Sequence, residues 1–228
     1  MLVSINQPAF LPWLGYFHRI MLSDVHVVLD HVQFEKNSYT NRNKIYTKNG
    51  PLWITVPVKT SGKFNNLSIN SIEIENKQNW KKKILSSVQQ NYSKSKYFKE
   101  YFPALESIIS KDYFLLNDLI KDLTKFLFSE LEIDTSIYYS SEMKLVGKKN
   151  DLIIEILSQL NSTEYLSGPL GRNYIEPRDF EELGIELKYH DYNHPIYNQM
   201  NTEFLPYLSI IDLIFNYGKK SRNIIFDK

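Results

Sequence analysis

Three short segments near the amino terminus set the fold. Leu2 to Ile5 is an apolar strand start. Leu14 to Leu22 carries Leu14, Phe17, Ile20 and Met21 on one helical face. Val25 to Leu29 is an unbroken apolar run of strand length. Between the first two segments, Pro8 and Pro12 force an extended turn, because each proline fixes φ and restricts the residue before it. A continuous run such as Val25 to Leu29 suits a strand covered on both faces, as in parallel sheets. Strand, proline-rich loop, helix, strand is a β-α-β unit, whose two strands are expected to lie parallel with a right-handed crossover. Ligands of open sheets of this type bind beyond the carboxyl ends of the strands. Here those ends are Asn6-Gln7-Pro8 and Asp30 to Gln33.

A dense polar array begins at that edge. Gln33, Lys36, Asn37, Tyr39, Asn41, Arg42 and Asn43 fall within eleven residues. Ordinary solvent loops favour Gly, Pro, Ser and Asp as turn formers. Amides and a guanidinium in such numbers suggest recognition of a polar ligand with many oxygens, such as a sugar, nucleotide or phosphate. A bland alternative stays open: Arg42 ties down its loop through backbone carbonyls, and the asparagines serve the turns. Asp30, after a buried strand, is either a functional carboxylate or a salt-bridge partner of Arg42.

The rest of the chain predicts an α/β fold: a Rossmann-like, mostly parallel sheet with an antiparallel hairpin and a helical insert. Lys44 to Tyr46 and Leu52 to Val58 read as the hairpin, joined through Asn49-Gly50. Ser68 to Glu75 alternates and predicts a further strand. Helical periodicity then runs through Lys77–Asn91, Lys96–Ser110 and Tyr113–Leu131, an insert at about 77–131. Ile137–Tyr139, Tyr165-Leu166 and Ile185–Tyr189 are candidate strands, and Asn150–Leu160 and Tyr207–Tyr217 candidate helices. No repeat or low-complexity linker divides residues 1–228, so a single domain is expected.

Composition excludes some chemistry. The 228 residues include no cysteine, which removes disulfides, thiolate metal sites and cysteine nucleophiles. A net charge of +1 steers the chain toward neither nucleic acid nor an anionic membrane, so no nucleic-acid partner is expected. No apolar run approaches the roughly 20 residues a membrane span needs, and no signal peptide is evident. A cytoplasmic location is the expectation.

Two later loops carry candidate site residues. Ser167-Gly168-Pro169-Leu170-Gly171-Arg172-Asn173-Tyr174 follows a strand. Its glycines would let backbone N–H groups approach an anion that Arg172 could clamp, although the same composition makes a plain turn. His190 to Gln199 holds two histidines four apart, but Pro195 argues against the helix that a metal pair would need, and no metal site is expected. His194 reads as a general base, an oriented donor or a turn cap.

Together these residues resemble the WbqC-like family. Gln7-Pro8, Leu11 to Phe17, Asp30 to Phe34, Asn41-Arg42-Asn43, Trp53 and Val56-Pro57-Val58 carry the resemblance in the first third. Leu166-Ser167-Gly168, Gly171 to Tyr174, His194 to Gln199 and Phe204 to Asp212 carry it in the last. The resemblance implies a transferase that forms an amide, acyl or aminoacyl and possibly glycyl, on an amino sugar. The acceptor would be nucleotide-linked, and the pathway that of surface polysaccharide or O-antigen. It also implies an activated donor of unknown kind, acyl-CoA or ATP-derived.

In that setting His194 and Asp30 are the expected catalytic residues. Asn41, Asn43 and Gln199 are expected oxyanion donors. Arg42, Arg172 and the Gly168–Gly171 loop would hold phosphates, and Gln7, Gln33, Ser167, Tyr174 and Tyr197 complete the substrate-binding set. Two alternatives stay open: a non-catalytic sugar-nucleotide-binding scaffold, and an ATP-dependent amide ligase. The paired-histidine motif of nucleotidyltransferase-like folds is absent from the first loop, which reads Gln7 to Trp13.

Overall fold

Five parallel strands form the main sheet in the order β5-β2-β1-β6-β7. The strands are β1 (Leu2–Asn6), β2 (Val25–Val28), β5 (Ser136–Tyr139), β6 (Glu164–Ser167) and β7 (Glu186–Tyr189). The computed structural model describes residues 1–60, 67–200 and 203–226. β1 is central, with Val3 beside Val25 on one side and Tyr165 on the other. The predicted β-α-β start is present: helix α1 (Leu14–Met21) links β1 to β2. The expected hairpin is also present as a separate two-stranded sheet, β3 (Arg42–Ile45) against β4 (Leu52–Thr55).

Side-chain alternation along the central strands splits the interior in two. Val3, Ile5, Val25 and Val27 face one way and pack with Leu152, Ile153, Ile156 and Leu157 of α5 (Asn150–Gln159) and Phe180 of α6 (Pro177–Glu182). Ser4 and His26 fall on the opposite face, toward α1, where the Tyr16 ring meets His26. The larger hydrophobic cluster joins α1 to α2 (Trp80–Tyr92), α3 (Phe98–Ser110), α4 (Leu116–Glu130) and α7 (Ile210–Tyr217). On α4 the apolar stripe buries Leu116, Leu119, Ile120, Leu123 and Leu127. Each such side chain contributes roughly 1.5–3 kcal/mol relative to exposure. The last helix, α8 (Ser221–Phe226), packs against α1.

Two expectations need correction. Ser68 to Glu75 is not a strand. A 3-10 turn forms over Ile69–Ser71, because the Ser68 hydroxyl bonds Asn70 and Ser71 and closes the chain on itself. Ile72 and Ile74 alternate because they are buried, and the segment makes isolated bridges at Gln33–Ser68, Val58–Ile74 and Glu73–Leu115. Helices α6 and α8 were not anticipated. α6 starts at Pro177, which suits a first helical position.

Candidate functional site

The strand order reverses at β1. The chain runs outward from β1 through β2 to β5, then crosses back to place β6 and β7 on the other side. A crevice for ligands forms beyond the carboxyl ends of strands at such a reversal. Here the reversal lies between Gln7, after β1, and Ser167-Gly168, after β6. Around it stand Arg19, Tyr16 and His18 from α1, Tyr174 from the loop after β6, and His190 just past β7.

Arg19 is the least expected of these. It is 6% exposed, and the one hydrogen bond of its guanidinium among the described residues runs from Nη2 to the Ile5 carbonyl at 3.4 Å. No carboxylate among the described residues pairs with it. Burial pulls its pKa below the ordinary arginine value, while the hydroxyls of Tyr165, Tyr16 and Tyr174 nearby push back. Those three phenols are themselves held above their ordinary pKa by burial, so they are neutral donors. Tyr174 stands half exposed at the mouth.

Beside Arg19 two imidazoles meet. His18 Nδ1 and His190 Nε2 share a hydrogen bond of 2.8 Å, and the His190 backbone N–H donates to the Ser167 carbonyl at 2.8 Å. Burial lowers the pKa of His18. Burial, Arg19 and His18 together push His190 down to about 4. The pair is therefore neutral near pH 7 and holds one proton between its rings. Either outer nitrogen can accept a proton if the shared one shifts, so the two rings form a relay.

His194 lies further along the same wall, reached through Tyr192, whose ring contacts those of His18, His190 and His194. Its Nδ1 bonds the Pro195 carbonyl at 2.9 Å, which leaves the Nε2 lone pair free. That atom is buried and has no partner among the described residues. Trp13, Tyr197, Phe204 and Tyr207 enclose the ring, and burial lowers its pKa.

The other expected site residues are held mainly by the fold. Asn41 donates to the Val56 carbonyl at 2.8 Å, and Asn43 to the Leu11 and Phe10 carbonyls at 2.6 and 3.3 Å. Gln33 bonds the Phe34 carbonyl and the Leu67 N–H. Arg42 donates to the Asn37 carbonyl at 2.6 Å and lies 4.2 Å over the Trp53 ring. Arg172 makes a two-pronged pair with Asp191 at 2.9 and 2.8 Å. Tyr197 and Gln199 both donate to Asp212, and Gln199 also clamps the Leu205 backbone. Gly171 is needed because a Cβ there would fall 2.0 Å from the Ser167 hydroxyl oxygen. The Gln7 carbonyl accepts a long bond from the Tyr16 hydroxyl.

Asp30 is fully buried and pairs with Asn117, Ser140 and Ser141 rather than Arg42. It ties the end of β2 to the residues that follow β5. Of the three stretches expected to converge, the Gly168 turn and the His194 corner connect through His190 and Tyr192. The Arg42 segment reaches the same region by Asn43, which holds the backbone of the proline loop that carries Trp13.

Residues 7–224, from Gln7 through the tail helix, match the WbqC-like protein family. The chain belongs to that family. A relative is the uncharacterized protein Rv1507c of Mycobacterium tuberculosis. The two are 34% identical over 221 residues, covering 96% of this chain and 95% of the other. No solved structure matches the chain. Among the described residues, no helix is long and apolar enough to cross a membrane. The family match takes in every residue of the crevice, including Arg19 and His190, which the sequence pattern alone did not single out as site residues.

Proposed function

We propose that this WbqC-like protein is a transferase that forms an amide on the amino group of a nucleotide-linked sugar, in the assembly of a surface polysaccharide such as O-antigen. The observation that supports this best is the neutral His18–His190 pair at the strand-end crevice. Amide formation must first remove a proton from the acceptor's ammonium group, and a neutral imidazole near pH 7 is suited to that step. The freed amine then attacks the carbonyl carbon of an activated donor. A C–N bond forms, negative charge collects on the carbonyl oxygen, and collapse expels the donor's leaving group with the electrons of its bond. The second amine proton leaves to the base or to that group. Donors aimed at the developing oxyanion would come from Tyr16, Tyr174 and the crevice backbone. His194, with its free Nε2, is the alternative base.

A second reading is an ATP-dependent ligase. The strand order supports it, because the five parallel strands run 3-2-1-4-5 when numbered along the chain, as in dinucleotide-binding sheets.

The test is to incubate the purified chain with a panel of nucleotide-linked amino sugars, offering acyl-CoA in one arm and amino acids with ATP in the other. Mass spectrometry reads the sugar. Transferase action gives a sugar heavier by the acyl or aminoacyl group. Product only in the ATP arm makes the protein a ligase. Binding of nucleotide sugars with no product in any arm makes it a scaffold and ends the enzymatic reading.

A further inference from the structure

We propose that Arg19 anchors a phosphoryl group in the crevice between the ends of β1 and β6. This deepens the transferase reading and rests on it for the view that the phosphate belongs to a nucleotide-linked sugar. The site itself stands on geometry.

A guanidinium out of water without a counter-charge is costly, and natural proteins pair or hydrogen-bond almost every such group. Arg19 has five N–H donors and a single long bond to the Ile5 carbonyl among the described residues. Asp191, beside His190, is taken by Arg172. The buried Asp30 and Asp212 are each occupied by uncharged donors. Arg19 therefore stands at the strand ends as a cation with no charged partner among the described residues.

Gly168 supports the same conclusion independently. Its backbone, at φ −70° and ψ 165°, is one that any residue adopts. A Cβ there would fall 2.3 Å from Arg19 Nη1, so any larger residue would push the guanidinium out of its present place. The absent side chain is what lets the end of β6 close on the guanidinium.

The chemistry of the surroundings selects the class of anion. Tyr16, Tyr165 and Tyr174 carry neutral hydroxyls near Arg19, and the His18–His190 pair carries N–H groups at the same edge. These groups and the planar fork offer more donors than the two oxygens of a carboxylate can accept. A phosphoryl group has three oxygens to share among them and matches the fork in a two-pronged way.

The experiment is calorimetric titration of the full chain with sodium pyrophosphate at low salt, with sodium acetate as a second titrant. Wild type is expected to bind pyrophosphate saturably and acetate far more weakly. Arg19→Met is expected to weaken pyrophosphate binding by about tenfold or more, the loss expected for a charge-assisted contact. Arg178→Met, which removes an exposed cation already paired with Glu182, should leave the affinity unchanged. Without pyrophosphate, Arg19→Met should melt no lower than wild type, because it removes a buried charge that lacks a partner. If Arg19→Met does not fold, Gly168→Ala reads the same contact from β6 and should also weaken binding.

No pyrophosphate binding by wild type would overturn the site, as would equal binding by Arg19→Met or by acetate. Pyrophosphate binding through Arg19 with no amide product would leave this site standing and remove the transferase reading. Amide product that pyrophosphate does not inhibit would do the reverse.

Discussion

His18, on the first helix, and His190, just past the last strand of the sheet, share a 2.8 Å hydrogen bond across 172 residues of sequence. The contact joins the two halves of the sheet at the crevice. The rings hold one proton between them, so they should act as a unit. His18→Gln and His190→Gln are each expected to lower kcat by about a hundredfold. The double variant should be hardly worse than either single one, because removing one ring already breaks the relay. Burial keeps His190 neutral down to about pH 4. The acid limb of kcat/KM should therefore lie below the pH at which an ordinary histidine titrates, near 6.5. Losses that simply multiply in the double variant would show two separate roles and end the relay.

Asp30 illustrates how a strand-end carboxylate can serve the fold. Its two oxygens accept bonds from Asn117, the Ser141 backbone and hydroxyl, and the Ser140 hydroxyl, at 2.8 to 3.2 Å. Asp30→Asn turns one acceptor into a donor facing other donors. It should cost about 2–4 kcal/mol in urea unfolding, the range for a broken buried network around a charged group. The folded fraction should keep its kcat, because Asp30 has no accessible surface. Lost turnover at unchanged stability would instead put Asp30 in the chemistry.

The β-α-β start, the hairpin and the three-helix insert were legible because each rests on local periodicity or turn chemistry, as with Asn49-Gly50 and the Leu116–Leu127 stripe. The site was less so. Asn41, Asn43 and Gln33 looked like recognition groups, but they hold carbonyls and N–H groups of neighbouring loops. An amide has the same composition whether it faces a ligand or the backbone. Arg19 was hidden in the opposite way. It sits one residue before Ile20 on a helix whose single stripe pointed to an exposed far face. That face is covered, since α8 packs on α1 and the end of β6 closes over it. The available signal was one arginine in an eight-residue crossover helix next to a ligand-binding strand edge. His190 followed the same edge rule, one residue past β7. His18 carried no signal of its own because its partner is 172 positions away.

Acid should expose a buried histidine that the crevice does not use. His26 is fully buried, bonded to Ser4 through Nδ1, and its Nε2 has no partner among the described residues. Burial and Arg19 lower its folded pKa to about 3, whereas the unfolded chain protonates it near 6.5. Between those values the unfolded state binds more protons, so stability falls as pH falls. The loss from pH 7 to pH 5 is about 2 kcal/mol for this group. Asp212 acts in the other direction. Burial raises its pKa to about 6, so the folded state takes up a proton first and gains about 1 kcal/mol over the same range. Urea unfolding should show wild type less stable at pH 5 than at pH 7. His26→Asn should reduce that difference by about 2 kcal/mol. An unchanged difference would mean that His26 does not resist protonation in the folded protein.

Asn43 offers a direct comparison between recognition and scaffolding. It is fully buried, and its Nδ2 holds the Phe10 and Leu11 carbonyls while its Oδ1 receives the Lys44 N–H at 2.8 Å. Leu11 has φ of 46°, a left-handed conformation that leucine rarely adopts, so this stretch of the proline loop depends on outside support. Asn43→Ala should cost about 2 kcal/mol, from three lost bonds and two carbonyls left without this donor. Asn43→Asp should cost more, because it sets a buried negative charge against two carbonyl oxygens and removes their donor. Pyrophosphate affinity, measured on the folded fraction at low temperature, should be unaffected in Asn43→Ala, since Arg19 and Gly168 are untouched. Lost pyrophosphate affinity at an unchanged urea midpoint would make Asn43 a ligand contact, as the sequence first suggested.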